Sequence, residues 1–214
     1  MDSTNRFVAD QAAAGAAGGL VAVADFQTAG RGRRGRAWDS PPGASLLCSV
    51  LLRPPALEAG WYLAAAAVAL AAATACDEVG GVRPGLKWPN DLVVGDEKLG
   101  GVLAELVAGR VVVGLGLNLS WSPPGAARLG QVDRDTLLAA LLVALGQRVG
   151  QWTGVASDYR RACTTIGRLV RVDLVEESFT GHAADVTDDG HLLVDVGACL
   201  RTVTAGDVIH LRAG

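Results

Sequence analysis

The sequence predicts an α+β protein: a mixed, largely antiparallel sheet packed by helices, followed by a small β-barrel of SH3-like size. Half of the 214 residues are apolar, which is enough to bury one core and a small second domain. Several strands follow an early helix with only short turns between them, and this order favours α+β over a doubly wound sheet. Beyond residue 166 the strands shorten, as expected for a small barrel. We therefore expect domains at 1–165 and 166–214.

The first third of the chain predicts a short helix, two strands and a long helix. Asp2 or Ser3 can cap the first helix, which continues to Ala14. A Gly-, Arg- and Pro-rich segment between the two strands is expected to be a loop. The expected strands, loop and long helix are Val21–Phe26, Ser45–Leu52 (fully buried), Gly30–Gly43 and Trp61–Val79.

The long helix contains an uncharged, alanine-rich run from Leu63 to Cys76. This run is shorter than the roughly 20 residues needed to cross a bilayer. A helix with small side chains all round suits close packing in a core, so we expect it to be buried and not to enter a membrane.

The rest of the chain predicts further antiparallel strands, two helices and the five strands of the barrel. The strands of the first domain are expected at Leu86–Trp88, Leu92–Val94, Lys98–Val107 and Val111–Leu119. The helices are expected at Asp135–Trp152 and Ala156–Cys163. The barrel strands are expected at Leu169–Val175, Phe179–Val186, His191–Val196, Leu200–Thr204 and Val208–Leu211.

Charge and cysteine usage exclude several classes of function. A net charge of −3 and a pI near 5.6 argue against a protein that covers nucleic-acid phosphates, so we expect no DNA partner. The four cysteines and three histidines have no zinc-like spacing, so no permanent metal is expected. Scattered cysteines in apolar contexts fit buried thiols in a reducing cytoplasm, and the start of the chain has no secretory pattern.

The most informative segment is Gly30–Arg36, which places four arginines among three glycines and is followed by Trp38. Glycines allow backbone amides to approach a ligand closely, and guanidinium groups bind phosphate through two parallel hydrogen bonds. A flexible loop of this kind can close over a nucleotide. The alternatives are a basic patch for nucleic acid or a solvated turn.

Two further segments carry polar residues at strand edges. The first is Lys87–Asp91, followed by Lys98–Gly101 and Glu105, and it could bind Mg²⁺, a carboxylate or an amine. Its alternative is edge packing by Trp88 and Pro89 among surface charges. The second, Gly114–Asn118, places two glycines and an amide in an apolar strand, where structural and ligand-facing explanations are about equal.

Together these segments resemble the biotin protein ligase family. The resemblance rests on Ser3–Asn5, Gln27, Gly30–Arg36 with Trp38, Lys87–Asp91, Lys98–Gly101 and Gly114–Asn118, in matching order and spacing. It is strong over residues 2–120 and weaker over 159–172 and the final barrel. It implies a biotin/lipoate ligase-like catalytic domain that uses ATP to convert biotin to biotinyl-5′-AMP. The biotinyl group then passes to a lysine of biotin carboxyl carrier protein.

The resemblance also implies the roles of individual residues. The catalytic residues would be Lys98, Arg33 and Asp91, with Lys98 stabilising developing charge and Asp91 orienting or deprotonating the acceptor lysine. The biotin-binding residues would be Ser3, Thr4, Asn5, Gln27, Arg31, Gly32, Arg33, Lys98, Gly101 and Leu103. The residues for ATP or the adenylate would be Arg33, Arg34, Arg36, Trp38, Asn90, Asn118 and Gly116. Mg²⁺ would arrive with ATP, near Asn90 and Asp91.

Three further expectations concern alternatives and partners. The chain begins at the Ser3–Asn5 motif, so the resemblance implies a catalytic-only ligase without the N-terminal DNA-binding domain of bifunctional members. The acceptor would be the carrier domain of a biotin-dependent carboxylase, and the ligase a cytoplasmic monomer or weak homodimer. Lipoate protein ligases share the fold and the acyl-adenylate chemistry of biotin protein ligases, but the Gly- and Arg-rich segment Gly30–Arg36 and the small barrel favour biotin. The alternative of another class is a non-catalytic module that binds nucleic acid or biotin.

Overall fold

The computed structural model describes residues 1–54 and 57–211, and its larger domain is built on a six-stranded sheet. The strand order is β1-β2-β6-β5-β4-β3, and every neighbouring pair is antiparallel. The strands are β1 (Val21–Ala24), β2 (Ser45–Leu52), β3 (Gly85–Lys87), β4 (Asp91–Val94), β5 (Glu97–Val107) and β6 (Arg110–Asn118). The predicted α+β class is therefore confirmed.

Helices cover both faces of this sheet. They are α1 (Thr4–Ala13), α2 (Leu57–Gly80), α3 (Arg134–Val149) and α4 (Val155–Ala162). Alternate residues of β2 separate the two faces, because Val50 packs in the main core with α2 whereas Leu51 packs with α1. Of the two expected N-caps, Asp2 and Ser3, it is Ser3 that caps α1, and its hydroxyl accepts from the backbone N–H of Arg6 at 3.5 Å.

The alanine-rich helix α2 forms the centre of the main core. Within the described residues, its segment Trp61–Gly80 is the one helix long and apolar enough, by length and composition, to cross a bilayer. The alanines at 64, 67, 71 and 75 are fully buried, which lets α3 and the sheet approach closely. Its burial supports the prediction of a core helix.

The smaller domain is a five-stranded antiparallel sheet with strand order β10-β9-β8-β7-β11. The strands are β7 (Leu169–Asp173), β8 (Ser178–Val186), β9 (Leu192–Asp195), β10 (Leu200–Val203) and β11 (Asp207–His210). It contacts the larger domain where Trp88 Nε1 donates to the carbonyl of Gly190 at 2.9 Å. A β-carbon at Gly190 would lie 2.2 Å from the Tyr62 ring, so the turn before β9 packs directly on α2.

The structure corrects some sequence-based details. Strand β1 ends two residues early, and Phe26 is 41% exposed beyond it. Strand β7 also ends two residues early, because Leu174 and Glu177 close a turn that leaves Val175 in solvent. The expected loop contains a 3₁₀ turn at Arg33–Gly35. Three of the cysteines are buried as expected, but the fourth, in the turn before β10, is exposed.

Candidate active site

A cleft of about 400 Å³ opens on the α1 face of the six-stranded sheet. Its walls are the start of α1, the loop Gly30–Trp38 (hereafter the arginine loop), the turn between β3 and β4, and the edge of β11. The sequence-predicted residues that line it are Ser3, Thr4, Asn5, Gln27, Arg31, Gly32, Arg33, Arg36, Trp38, Asn90, Asp91, Lys98, Gly101, Leu103 and Gly116. Residues more than 100 positions apart in the sequence therefore meet in one place.

One end of the cleft is a network of uncharged side chains, all buried except the half-buried Gln27, which we call the neutral end: Ser3, Thr4, Asn5, Gln27 and Ser49. Gln27 Oε1 accepts from the backbone N–H of Thr4 at 2.7 Å and from its hydroxyl at 3.1 Å. Ser49 Oγ lies 2.7 Å from Thr4 Oγ1 and 2.6 Å from Asn5 Oδ1. Ser49 was not predicted, because nothing in a buried apolar strand marks one serine as part of a site.

Two glycines of β6 make room for cleft side chains. A β-carbon at Gly114 would lie 2.1 Å from Asn5 Oδ1, and one at Gly116 would lie 2.6 Å from Trp38 Cε2. Both distances are far below van der Waals contact, so any larger residue would displace these side chains. The structure thus explains both glycines by the close approach of residues that line the cleft.

The other end of the cleft is charged, and we call Arg33, Arg34, Arg36, Asp91, Lys98 and Asp207 the charged end. Lys98 Nζ lies 2.6 Å from Asp91 Oδ1 and 5.7 Å from the centre of the Trp38 ring. Arg33 donates to Asn90 Oδ1 at 3.3 Å. Burial lowers the pKa of the Arg33 guanidinium, and the nearby Asp207 carboxylate opposes that effect.

The small domain contributes a carboxylate to the charged end. Asp207, the first residue of β11, forms ion pairs with Arg34, at 3.2 Å, and with Arg36. Asp173 and Ile209 of the same sheet also line the cleft. Sequence reasoning missed all three residues. Asp207, for example, follows an Ala-Gly turn and looks like any other turn residue.

Two predicted residues lie outside the cleft lining. The Asn118 amide is buried and donates to the carbonyls of Ala127 at 2.9 Å and Lys98 at 3.5 Å, so it holds backbone and does not face the opening. Arg34 has φ of 55° in the left-handed region, and its guanidinium is bound to Asp207. Asn118 therefore holds backbone next to the cleft, and Arg34 belongs to the charged end only through its ion pair with Asp207.

A thiol close to the cleft is unsuited to nucleophilic chemistry. Cys48 lies on β2 between Leu47 and Ser49, but its side chain packs in the main core on the other face of the sheet, and burial raises the pKa of its thiol to about 12. A thiol with that pKa is protonated at neutral pH and is neither a good nucleophile nor a metal ligand. The chemical resources of the cleft are therefore its cations, the Asp91 carboxylate and hydrogen-bonding groups.

Comparisons with known proteins give a consistent match over both domains. Residues 1–120 match the biotin/lipoate A/B protein ligase family, and residues 165–211 match the biotin protein ligase C-terminal domain. A biotin–[acetyl-CoA-carboxylase] ligase of Mycobacterium tuberculosis is 40% identical, with 98% of this chain and 86% of the relative covered. One of Paracoccus denitrificans is 37% identical, with 97% and 96% covered.

A solved structure agrees with these sequence matches. The biotin protein ligase from Aquifex aeolicus, in complex with biotin and ATP, superposes with a TM-score of 0.83 at 25% identity. The superposition covers 99% of this chain and 96% of that chain. The likeness therefore includes the small C-terminal sheet as well as the domain that carries most of the cleft.

Proposed function

The chain belongs to the biotin/lipoate A/B protein ligase family, and from that premise we propose that it is a biotin protein ligase. It activates biotin with ATP as biotinyl-5′-AMP, releases pyrophosphate, and transfers the biotinyl group to a lysine of a carrier protein. The observation that carries this proposal is a single cleft with a neutral, buried end and a cationic end. Biotin has the same polarity, with an uncharged ureido ring at one end and a carboxylate at the other.

The neutral end suits recognition of the ureido ring. Thr4, Asn5 and Gln27 offer both donors and acceptors, and their backbone and side-chain contacts hold them in fixed orientations. A buried polar group left without its partner costs about 1–3 kcal/mol, so a ring that lacks matching groups is rejected. Gly101 and Leu103 provide the wall beside the alkyl tail.

The first chemical step requires two anions to approach each other. A carboxylate oxygen of biotin attacks the α-phosphorus of ATP, the bond from that phosphorus to pyrophosphate breaks, and a mixed anhydride results. The carboxylate is already ionised at neutral pH, so the step needs charge stabilisation and no general base. We assign that stabilisation to Lys98 and Arg33, with Arg31, Gly32 and Arg36 around the carboxylate and phosphates.

The second step has a different difficulty, because the acceptor lysine is protonated. With a pKa near 10.4, only roughly 0.04% of such amines are neutral at pH 7. Asp91 is partly exposed, lies at the rim of the same cleft, and can accept the proton. The amine attacks the anhydride carbonyl, the carbon–oxygen bond to AMP breaks, and AMP leaves.

In this proposal Mg²⁺ binds together with ATP. Among the described residues no three His, Cys, Asp or Glu side chains lie close enough to hold a metal ion. Asn90 Oδ1 accepts from Arg33 and Asp91 Oδ1 contacts Lys98, which leaves the second Asp91 oxygen as the main candidate. This fits Mg²⁺, which commonly binds proteins through one or two carboxylates together with phosphates and water. When bound, it would supply charge neutralisation between the phosphates.

The proposed partners follow from the relatives, which are biotin–[acetyl-CoA-carboxylase] ligases. We propose the biotin carboxyl carrier domain of a biotin-dependent carboxylase as acceptor, a cytoplasmic location, no DNA target, and a monomer or weak homodimer. The rival substrate is lipoate, since the family includes lipoate ligases. The match of residues 165–211 to the biotin protein ligase C-terminal domain favours biotin.

An exchange assay tests the proposal. Purified protein with ATP, Mg²⁺ and biotin should incorporate radiolabelled pyrophosphate into ATP, because the first step is reversible. Lipoate and octanoate, in parallel reactions, should give background exchange only. Exchange with lipoate and none with biotin would assign the chain to the sister activity, and exchange with neither acid would remove both.

A further inference from the structure

Glu105 connects two parts of the cleft without lining it. It lies on β5, and its Oε2 accepts from Asn5 Nδ2 at 2.8 Å. Its two oxygens also accept from Arg31 Nη2 at 3.1 and 3.2 Å. One carboxylate therefore joins the start of α1 to the arginine loop, and through them the neutral end to the cationic groups.

The Glu105 carboxylate determines how the Asn5 amide is oriented. Asn5 Oδ1 faces the Ser49 hydroxyl, which can donate or accept and so does not distinguish the amide oxygen from the amide nitrogen. A carboxylate only accepts, so it requires the nitrogen on its side. Asn5 Nδ2 also donates to the backbone carbonyl of Leu103 at 3.3 Å, a longer contact that likewise requires the amide nitrogen at this position. The Asn5 amide also packs directly against Gly114, where an added β-carbon would lie 2.1 Å from Asn5 Oδ1.

The same carboxylate holds Arg31 beside the cleft. Arg31 is half exposed, and the only ion pair it makes among the described residues is with Glu105. Without this contact a long side chain on a glycine-rich loop would sample many rotamers, and that freedom would be lost on substrate binding. Glu105 reduces that loss by holding the side chain before substrate arrives.

We propose that Glu105 is a positioning residue that sets the Asn5 amide for the biotin ring and holds Arg31 for the carboxylate. The inference rests on the proposed function. It gives one side chain two separable tasks, one at each end of the same substrate. Glu105 does not line the cleft, so it acts through Asn5 and Arg31 and not by contact with the substrate.

Two substitutions separate the tasks. In Glu105→Gln, an amide oxygen at the Oε2 position still accepts from Asn5. The contact with Arg31 is weakened, because the ion pair is lost and the NH₂ group faces Arg31 Nη2 as donor against donor, which leaves one 3.2 Å hydrogen bond to the amide oxygen. Glu105→Ala removes both contacts. Glu97→Gln is the control, because Glu97 is exposed on the same strand.

The first readout is calorimetric binding of a biotin analogue whose carboxyl is reduced to an alcohol, which reports on the ring end. We expect wild type and Glu105→Gln to agree within about twofold and Glu105→Ala to bind about tenfold more weakly. The second readout is trypsin cleavage of the ligand-free arginine loop, which should be faster in both Glu105 variants than in wild type. The KM for ATP should stay within about threefold in all of them, because the proposed function assigns the ATP phosphates mainly to Lys98, Arg33 and Arg36.

Several results would overturn the inference. Equal analogue binding by Glu105→Ala and wild type would remove the Asn5 task, and unchanged trypsin cleavage would remove the Arg31 task. A parallel loss of thermal stability, analogue binding and ATP binding would show a general structural role. Failure of the wild-type protein to bind biotin would count against the proposed function. If the wild-type protein binds biotin and both Glu105 variants behave like Glu97→Gln, the result would count against this inference alone.

Discussion

The side chains at the two ends of the cleft are held in position by different kinds of interaction. At the neutral end Ser3, Thr4 and Asn5 are at most 4% exposed, and their side chains are hydrogen-bonded to Gln27, Ser49, Glu105 or backbone groups. At the charged end the side chains of Lys98 and Arg36 are 41% and 66% exposed, and each forms an ion pair. Breaking a buried hydrogen bond is costly, whereas an exposed ion pair contributes about 0–1 kcal/mol.

Because of this difference, we expect one end of the cleft to select the substrate and the other end to exchange one anion for another. A network that cannot rearrange cheaply accepts only a ligand that matches its donors and acceptors, so the neutral end should determine which acid is bound. Ion pairs that break cheaply can give up a protein carboxylate for a phosphate, so the charged end should bind successive anions during the reaction. The predictions below test that separation, in order of decreasing effect.

The largest effect is expected from Lys98→Met, which removes a charge but keeps a side chain of similar length. We expect the rate of biotin-dependent pyrophosphate exchange to fall about 10²–10³-fold, as when one preorganised group that stabilises transition-state charge is removed. Binding of the alcohol analogue, measured by calorimetry, should stay within about threefold. The variant Lys98→Arg keeps the charge in a different geometry and should recover part of the rate.

The comparison would fail if Lys98→Met weakened analogue binding as much as it slowed exchange. That result would mean that the lysine supports the neutral end as well, through its contacts with Asp91 and the Trp38 ring. An unchanged exchange rate would remove its assignment to the first chemical step.

A smaller effect is expected from Gly114→Ala, at the neutral end. The new methyl group would lie 2.1 Å from Asn5 Oδ1, so the Asn5 side chain must move and lose its position. We expect calorimetric affinity for biotin to fall at least about tenfold, or ~1.4 kcal/mol, with the KM for ATP nearly unchanged.

The matched control for this prediction is Gly146→Ala in α3. A β-carbon there would meet nothing within 4 Å, and alanine favours helix over glycine by about 1 kcal/mol. This control should bind biotin normally and melt at the same or a higher temperature. Equal biotin affinity in the two variants would show that Asn5 is not held as tightly as its contacts indicate.

Sequence alone predicted the parts of this molecule that local pattern determines. The buried strand Ser45–Leu52 has the predicted bounds, and the alanine run of α2 lies in the core. The arginine loop and the Lys87–Asp91 segment line one cleft, because each carries its chemistry in a few consecutive residues.

Contacts between distant segments were not predictable in the same way. Glu105 reaches Asn5 across 100 positions, and Asp207 reaches Arg34 across 173. No pattern in either segment identifies the partner. For Asn118 the local pattern was misleading. Strand alternation places it on the cleft face with Gly114 and Gly116, but its amide donates to the backbone carbonyl of Ala127, where the chain returns to the sheet.

The smallest effect is expected from salt, and it tests the two ends together in unmodified protein. Raising NaCl from about 0.05 M to about 0.5 M shortens the screening length severalfold, which weakens exposed charge interactions and leaves buried hydrogen bonds nearly unchanged. We expect the KM for ATP to rise about three- to fivefold while the dissociation constant of the alcohol analogue stays within about 1.5-fold. The measurements are steady-state exchange kinetics and calorimetry over one salt series. In Asp207→Asn the salt effect should be larger, because Arg34 and Arg36 no longer have a competing protein carboxylate whose attraction salt weakens along with that of ATP. An analogue affinity that fell with salt as steeply as that of ATP would mean that the buried network is reached by solvent ions, and the distinction between a selecting end and an exchanging end would then be wrong.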